Sequence, residues 1–113
     1  MAATTITNLN LTRNAWADFP TAAAADAGDG LVITPTGGDQ RMLIYCENSD
    51  AANAETVTIK GGQGPLAMGD LTLSFAAGAK KVINVESGRY MGADGKIRLT
   101  GSADVKVAVI FLP

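Results

Sequence analysis

Histidine is absent from all 113 residues, and cysteine occurs once. The first absence removes the commonest general base and the commonest transition-metal ligand, which excludes a Ser-His-Asp triad. The second leaves zinc without enough soft ligands, so any bound metal is expected to be a hard cation on carboxylates. The lone thiol, Cys46, can close no disulfide within the chain, which fits synthesis in a reducing compartment. Its apolar strand setting reads as that of a small core residue. Aromatic residues are few, one Trp, two Tyr and three Phe, too few to wall a sugar-binding groove. Glycosidase chemistry on a carboxylate pair is therefore not expected, and no other catalytic constellation stands out: the chain reads as a non-enzyme. No apolar run approaches the roughly 20 residues that span a bilayer. The opening MAATTITNLN has neither the basic nor the apolar part of a secretory signal, so the expectation is cytosolic synthesis without export and no membrane partner.

What the chain does have is aliphatic residues and turns. Hydrophobic residues make up 47% against 5% aromatic, with 13 glycines, a composition for a core of Val, Ile, Leu and Ala in sheets. From residue 31 onward short apolar runs alternate with turn residues and no 3.6-residue period is sustained. LVIT (31–34) stops at Pro35. RMLIYCEN (41–48) is apolar at consecutive positions, as in a central strand covered on both faces. ETVTIKG (55–61) puts Val57 and Ile59 on one face, DLTLSF (70–75) does the same with Leu71, Leu73 and Phe75, and KKVINVES (80–87) turns Ile83 and Val85 inward. Tyr90-Met91 and Ile97/Leu99 flank an Ala-Asp-Gly turn (93–95), a hairpin signal, and VKVAVIFL (105–112) closes the series. Seven to eight short strands at about ten-residue spacing predict an all-β fold, an antiparallel β-sandwich or jelly roll, with a small closed barrel as the alternative. Parallel pairing is not expected, since no connection is long and helical enough for a crossover. The division is an N-terminal arm and edge segment (1–30) and a sandwich core (31–113), one domain overall.

Charge divides unevenly. The net charge is −2, but the chain through Glu55 carries −5 and the remainder +3. This imbalance can be neutralised inside the fold or can steer neighbouring copies together in a salt-sensitive way. An acidic domain without a basic, aromatic-interleaved run is not a nucleic-acid binder.

Few residues are candidates for chemistry. Loop carboxylates Asp26, Asp29, Asp94 and Asp104 lack the spacing of a calcium loop. GGQGP (61–65) lacks the Lys-Ser/Thr ending and following helix of a phosphate loop, and reads as glycine-rich loop. No cofactor is expected. LTRNAWADFP (11–20) holds Trp16 and Phe19, which either cover an open end of the sandwich or anchor a partner, with Arg13 and Asp18 as polar rim. Next comes PTAAAADAGDG (20–30). Ala22 to Ala25 favour helix and Thr21 can cap it, but Gly28 and Gly30 end the run before the roughly 12 residues a lone helix needs. An arm with small side chains, lying close on another surface, fits best.

Taken together, LTRNAWADFPTAAAADAGDG, RMLIYCENSDAANAETVTIKGG, GDLTLSFAAGAKKVINVESGRYMGADGKIRLT and the terminal VKVAVIFLP resemble a group of small tailed-bacteriophage virion proteins, of the capsid decoration or cement type, over nearly the whole chain. The resemblance rests on strand-and-turn phrasing and includes no catalytic signature. It implies a β-sandwich that binds the outer surface of an icosahedral shell, bridges major capsid subunits or copies of itself as a homo-oligomer, and stiffens the lattice. The contact residues expected on this reading are Arg13, Trp16 and Phe19. Other roles of the same chain are a neck, tail or fibre component, or a carbohydrate-binding host-attachment module.

Overall fold

The computed structural model describes residues 4–20, 22–25, 30–61, 69–92, 94–102 and 104–113. The fold is all-β and sandwich-like, with ten strands in two sheets. The strands are β1 (Thr4–Thr5), β2 (Leu9–Asn10), β3 (Ala23–Ala24), β4 (Leu31–Ile33), β5 (Met42–Asn48), β6 (Glu55–Ile59), β7 (Leu71–Phe75), β8 (Lys80–Ile83), β9 (Ile97–Gly101) and β10 (Val105–Phe111). One helical turn, α1 (Ser87–Tyr90), interrupts the series, and a 3-10 turn at Asp39–Arg41 precedes β5. The first sheet has the order β1-β4-β9-β6-β7 and the second β2-β10-β5-β8, with β3 also paired to β10.

Alternation explains most strands after β4, which is itself buried at all three positions. In β10, Val105, Val107, Val109 and Phe111 are buried, and in β5, Met42, Ile44, Cys46 and Asn48 are buried, along one antiparallel ladder of seven residue pairs. Across the core, the first sheet contributes Leu31, Ile33, Val57, Ile59, Phe75, Ile97 and Leu99. Ile83 and Val85 both pack into this core, as their spacing predicts. Each fully buried aliphatic side chain contributes about 1.5–3 kcal/mol relative to exposure, which makes this layer the main source of stability. β5 is not covered on both faces: Leu43, Tyr45 and Glu47 are only half-buried. The strand starting at Lys80 ends at Ile83, and Tyr90 belongs to the helical turn, leaving Met91 as a single bridge to Ile97.

The first 25 residues depart most from expectation. Residues 4–11 lie along the sandwich's own sheets: β1 runs parallel to β4, and β2 runs parallel to the end of β10. No crossover helix is required, because the segment passes from one sheet to the other and each pairing spans two residues. The passage buries Ile6, which is 4% exposed, and is tied by Ile6 N–H to the Val32 carbonyl and by Asn8 Nδ2 to the Thr34 carbonyl at 2.6 Å. The alanine run forms no helix in its described part. Ala23–Ala24 pairs with Lys106 and Val107 of β10, and Ala25 is buried in the core. Thr21, Asp26, Gly28 and Asp29 lie outside the described residues. Gly30 then enters β4 at φ 73°, and a Cβ there would meet the carbonyl oxygen of Leu99, so only glycine fits without strain.

One buried polar side chain organises an end of the sandwich. Asn48, 1% exposed, donates from Nδ2 to the carbonyls of Asn53 at 3.0 Å and Ala76 at 3.1 Å. Its Oδ1 accepts from Asp50 N–H at 2.9 Å. It thereby holds both the β5–β6 loop and the short β7–β8 turn, and its satisfied hydrogen bonds offset the penalty of burial.

Candidate functional site

The segment singled out in the sequence, residues 11–20, runs from the end of β10 to the outer face of the second sheet. Strand register sets Val82, Tyr45 and Ala108 in one row and places Leu43 beside Ile110 and Ile110 beside Leu9 in the next. Segment 11–20 crosses near this face. It is anchored at one end by Leu11 N–H to the Phe111 carbonyl at 2.9 Å. At the other end Phe19 packs edge-on against Tyr45, with ring centroids 5.1 Å apart. Tyr45 in turn reaches Glu47, its hydroxyl donating to Oε2 at 3.4 Å, and burial together with the Glu47 charge raises the phenol's pKa.

The two aromatic candidates therefore do different things. Phe19, 63% exposed, lies on its own sheet, whereas Trp16 is 102% exposed. Neither covers an open end of the sandwich. Arg13 and Asp18 are exposed on the same segment, and Asn14 adopts φ 60°, a left-handed conformation that asparagine tolerates better than most residues.

A second feature lies at the flank between the free edges of β7 and β8. A cleft of about 270 Å³ opens there, lined by Cys46, Val57, Leu73, Phe75, Lys81 and Ile83. Burial pushes the Cys46 thiol up to about 11, so at neutral pH it is a protonated, apolar wall group and a poor nucleophile.

The remaining polar groups are largely engaged with one another. At one end of the first sheet, Lys60, Lys96, Arg98, Tyr90 and Asp94 line an open hollow of about 380 Å³. Two of these cations are paired there, Arg98 to Asp94 at 2.6 Å and Lys60 to Asp70 at 3.5 Å. The hydrogen bond from Arg98 holds the Asp94 carboxyl down to about 2. At the opposite end, Asp50, Glu55 and Asp104 bring carboxylate oxygens within 4.8 Å of one another. This is the one group among the described residues with the geometry for a hard cation. Its oxygens already accept protein hydrogen bonds: Asp50 from the Ala52 and Asn53 amides, which lower its pKa, and Glu55 from the Ser102 hydroxyl. Of the loop carboxylates named from sequence, Asp104 joins this group and Asp94 is bound to Arg98. Asp26 and Asp29 lie outside the described residues, as do positions 62–65 of the glycine-rich loop. The trio had no sequence signal, since Asp50 and Glu55 flank one loop without a metal-loop spacing and Asp104 joins them only through the end of β10.

The charge imbalance between the halves is partly met inside the fold. Glu47 stands in register between Lys80 and Lys106 on its two neighbouring strands, and opposite charges so placed attract. The Lys60–Asp70, Arg89–Glu86 and Arg98–Asp94 pairs all join residues within the second half. No helix among the described residues is long and apolar enough to cross a membrane. No known family, curated protein or solved structure matches the chain.

Proposed function

We propose that this chain is a non-enzymatic structural protein of a tailed-bacteriophage virion, a capsid decoration protein that binds the outer shell and stabilises its lattice. The observation that carries the reading is the strap of residues 11–20. It is held at both ends on its own sheet, through Leu11 and Phe19, and presents Trp16 wholly to solvent between them. An isolated indole in water is unfavourable, and Trp is the side chain most enriched at the centres of protein interfaces. The strap is thus suited to contact, with Arg13 and Asp18 as its polar rim. On the resemblance read from the strand-and-turn phrasing of the sequence, the partner proposed is the major capsid protein, copies of this chain, or both.

The mechanism needs no pocket. A shell presents many equivalent sites, and copies that touch more than one subunit gain avidity from simultaneous weak contacts. The test is co-sedimentation of the purified protein with shells that lack it. Saturation at hundreds of copies per particle, with binding lost in Trp16→Ala, is the expected result. Occupancy confined to one ring of copies would instead favour the neck or tail. Binding that Trp16→Ala and Phe19→Ala leave unchanged, singly and together, would remove the strap from the contact.

A further inference from the structure

Trp16 and the cleft between β7 and β8 are complementary, and we infer that the indole of one copy seats in the cleft of a second copy. The inference deepens the proposed function and rests on its reading of the 11–20 strap as a contact element. Size is the first ground. An apolar cavity of about 150 Å³ takes up a benzene ring, so a cleft of about 270 Å³ walled by Val57, Leu73, Phe75 and Ile83 has room for a bicyclic indole. Charge is the second. Lys81 stands on one lip of the cleft. On the other side Glu55 is in register with Phe75, one of the cleft's wall residues, and has Asp50 and Asp104 beside it, so a carboxylate group lies behind that wall. The strap has the complementary signs on either side of Trp16: Arg13 before it and Asp18 after it. Arg13 faces the carboxylates and Asp18 faces Lys81 when the indole enters.

Knob and hole lie on different surfaces, the knob on the strap at the second sheet and the hole at the β7/β8 flank. Each copy therefore carries one knob and one hole: two copies that exchange tryptophans reciprocally make a closed pair, and copies joined head to tail build a ring where the rotation closes. The edge of β8 itself is guarded by Lys80 and Lys81, which oppose its strand-to-strand pairing with the same edge of a second copy.

Trp16 is the only tryptophan, so its fluorescence reads the seat directly. The full chain is followed by emission wavelength and by sedimentation over a range of concentrations. The expected result is emission moving to shorter wavelength as the mass rises above that of one chain. Trp16→Ala removes the knob and Leu73→Arg blocks the hole, each weakening association at least about thirtyfold, the loss of one interface hot spot. Lys81→Glu, at an exposed position, serves for the hole if Leu73→Arg lowers the melting temperature. A one-to-one mixture of the knob and hole variants restores a dimer and goes no further, with the emission of the hole variant shifting on mixing. Short-wavelength emission from a monomer at every concentration overturns the inference, since the indole would then occupy its own cleft. So does association that neither variant weakens. A monomer with solvent-like emission that still binds shells through Trp16 overturns the self-contact alone and leaves the proposed function standing. Loss of both self-association and Trp16-dependent shell binding removes the strap from either role.

Discussion

The two flanks of the sandwich are built differently. On one, the N-terminal segment crosses between the sheets, so that β1 and β2 extend them and Ile6 and Ala25 fill the gap. On the other, β7 and β8 are joined by a short turn and nothing among the described residues spans the space between their edges, leaving the apolar cleft. Both flanks have the same inner wall of aliphatic side chains. The difference is whether a piece of the same chain is spent on closing it. A flank sealed by its own chain adds stability, whereas an unsealed one leaves apolar surface for a partner.

The sharpest way to break the contrast is to remove the seal. Ile6→Ala is expected to lose about 2–5 kcal/mol in denaturant unfolding, while Leu73→Ala, half-buried on the open side, loses about 1 kcal/mol. Equal losses would mean that the flanks are energetically alike. Gly30→Ala comes next, since it sits where β1 docks: the positive φ alone is worth about 1–3 kcal/mol, and the approach to the Leu99 carbonyl adds to it. Thermal melting measures that loss, and a melting point equal to that of the parent would refute the close approach. On the open side, Asn48→Ala frees the β7–β8 turn and strands two carbonyls. The expected loss is about 1–3 kcal/mol, accompanied by faster amide exchange at Ala79 than at Ile6. Trp16→Ala should change stability by no more than about 0.5 kcal/mol, as for a surface position, because it touches neither flank of its own molecule. The smallest effect belongs to Asp94. Its carboxyl is lowered by Arg98 to about 2 from an ordinary value of 3.8, so its contribution is fully present above pH 4 and is lost as pH falls through about 2. A carboxyl titration by NMR should give that low midpoint, and Arg98→Ala should return it to the ordinary range.

Most strands from Leu31 to Phe111 were legible because they bury one face against a single core, which imposes alternation on the sequence, while β4, buried at all three positions, was legible as a short apolar run stopped by Pro35. The 11–20 segment was legible as a contact candidate because Trp and Phe are so rare in this chain. The rest was hidden for identifiable reasons. Ala23–Ala24 is a strand only because β10 offers it an edge, and alanine has no pattern with which to announce that. Parallel pairing of β1 and β2 depends on a passage between sheets that no local spacing encodes. RMLIYCEN suggested cover on both faces, yet one of those faces is only partly covered, with Phe19 lying on Tyr45. That Phe19 would pack and Trp16 would not could not be read from two aromatics three positions apart. The cleft was invisible altogether, since its walls come from four strands and its existence depends on what fails to cover them.

The passage of residues 4–11 between the sheets also dictates an order of events during folding. β2 pairs with Ile110 and Phe111 of β10, and β3 with Lys106 and Val107 of the same strand, so neither can settle until the far end of the chain has been made. Residues 4–11 and 23–24 are made before β10 yet are among the last to dock. Such long-range closure slows folding relative to local pairing, and until it happens the newborn chain exposes apolar surface on both flanks.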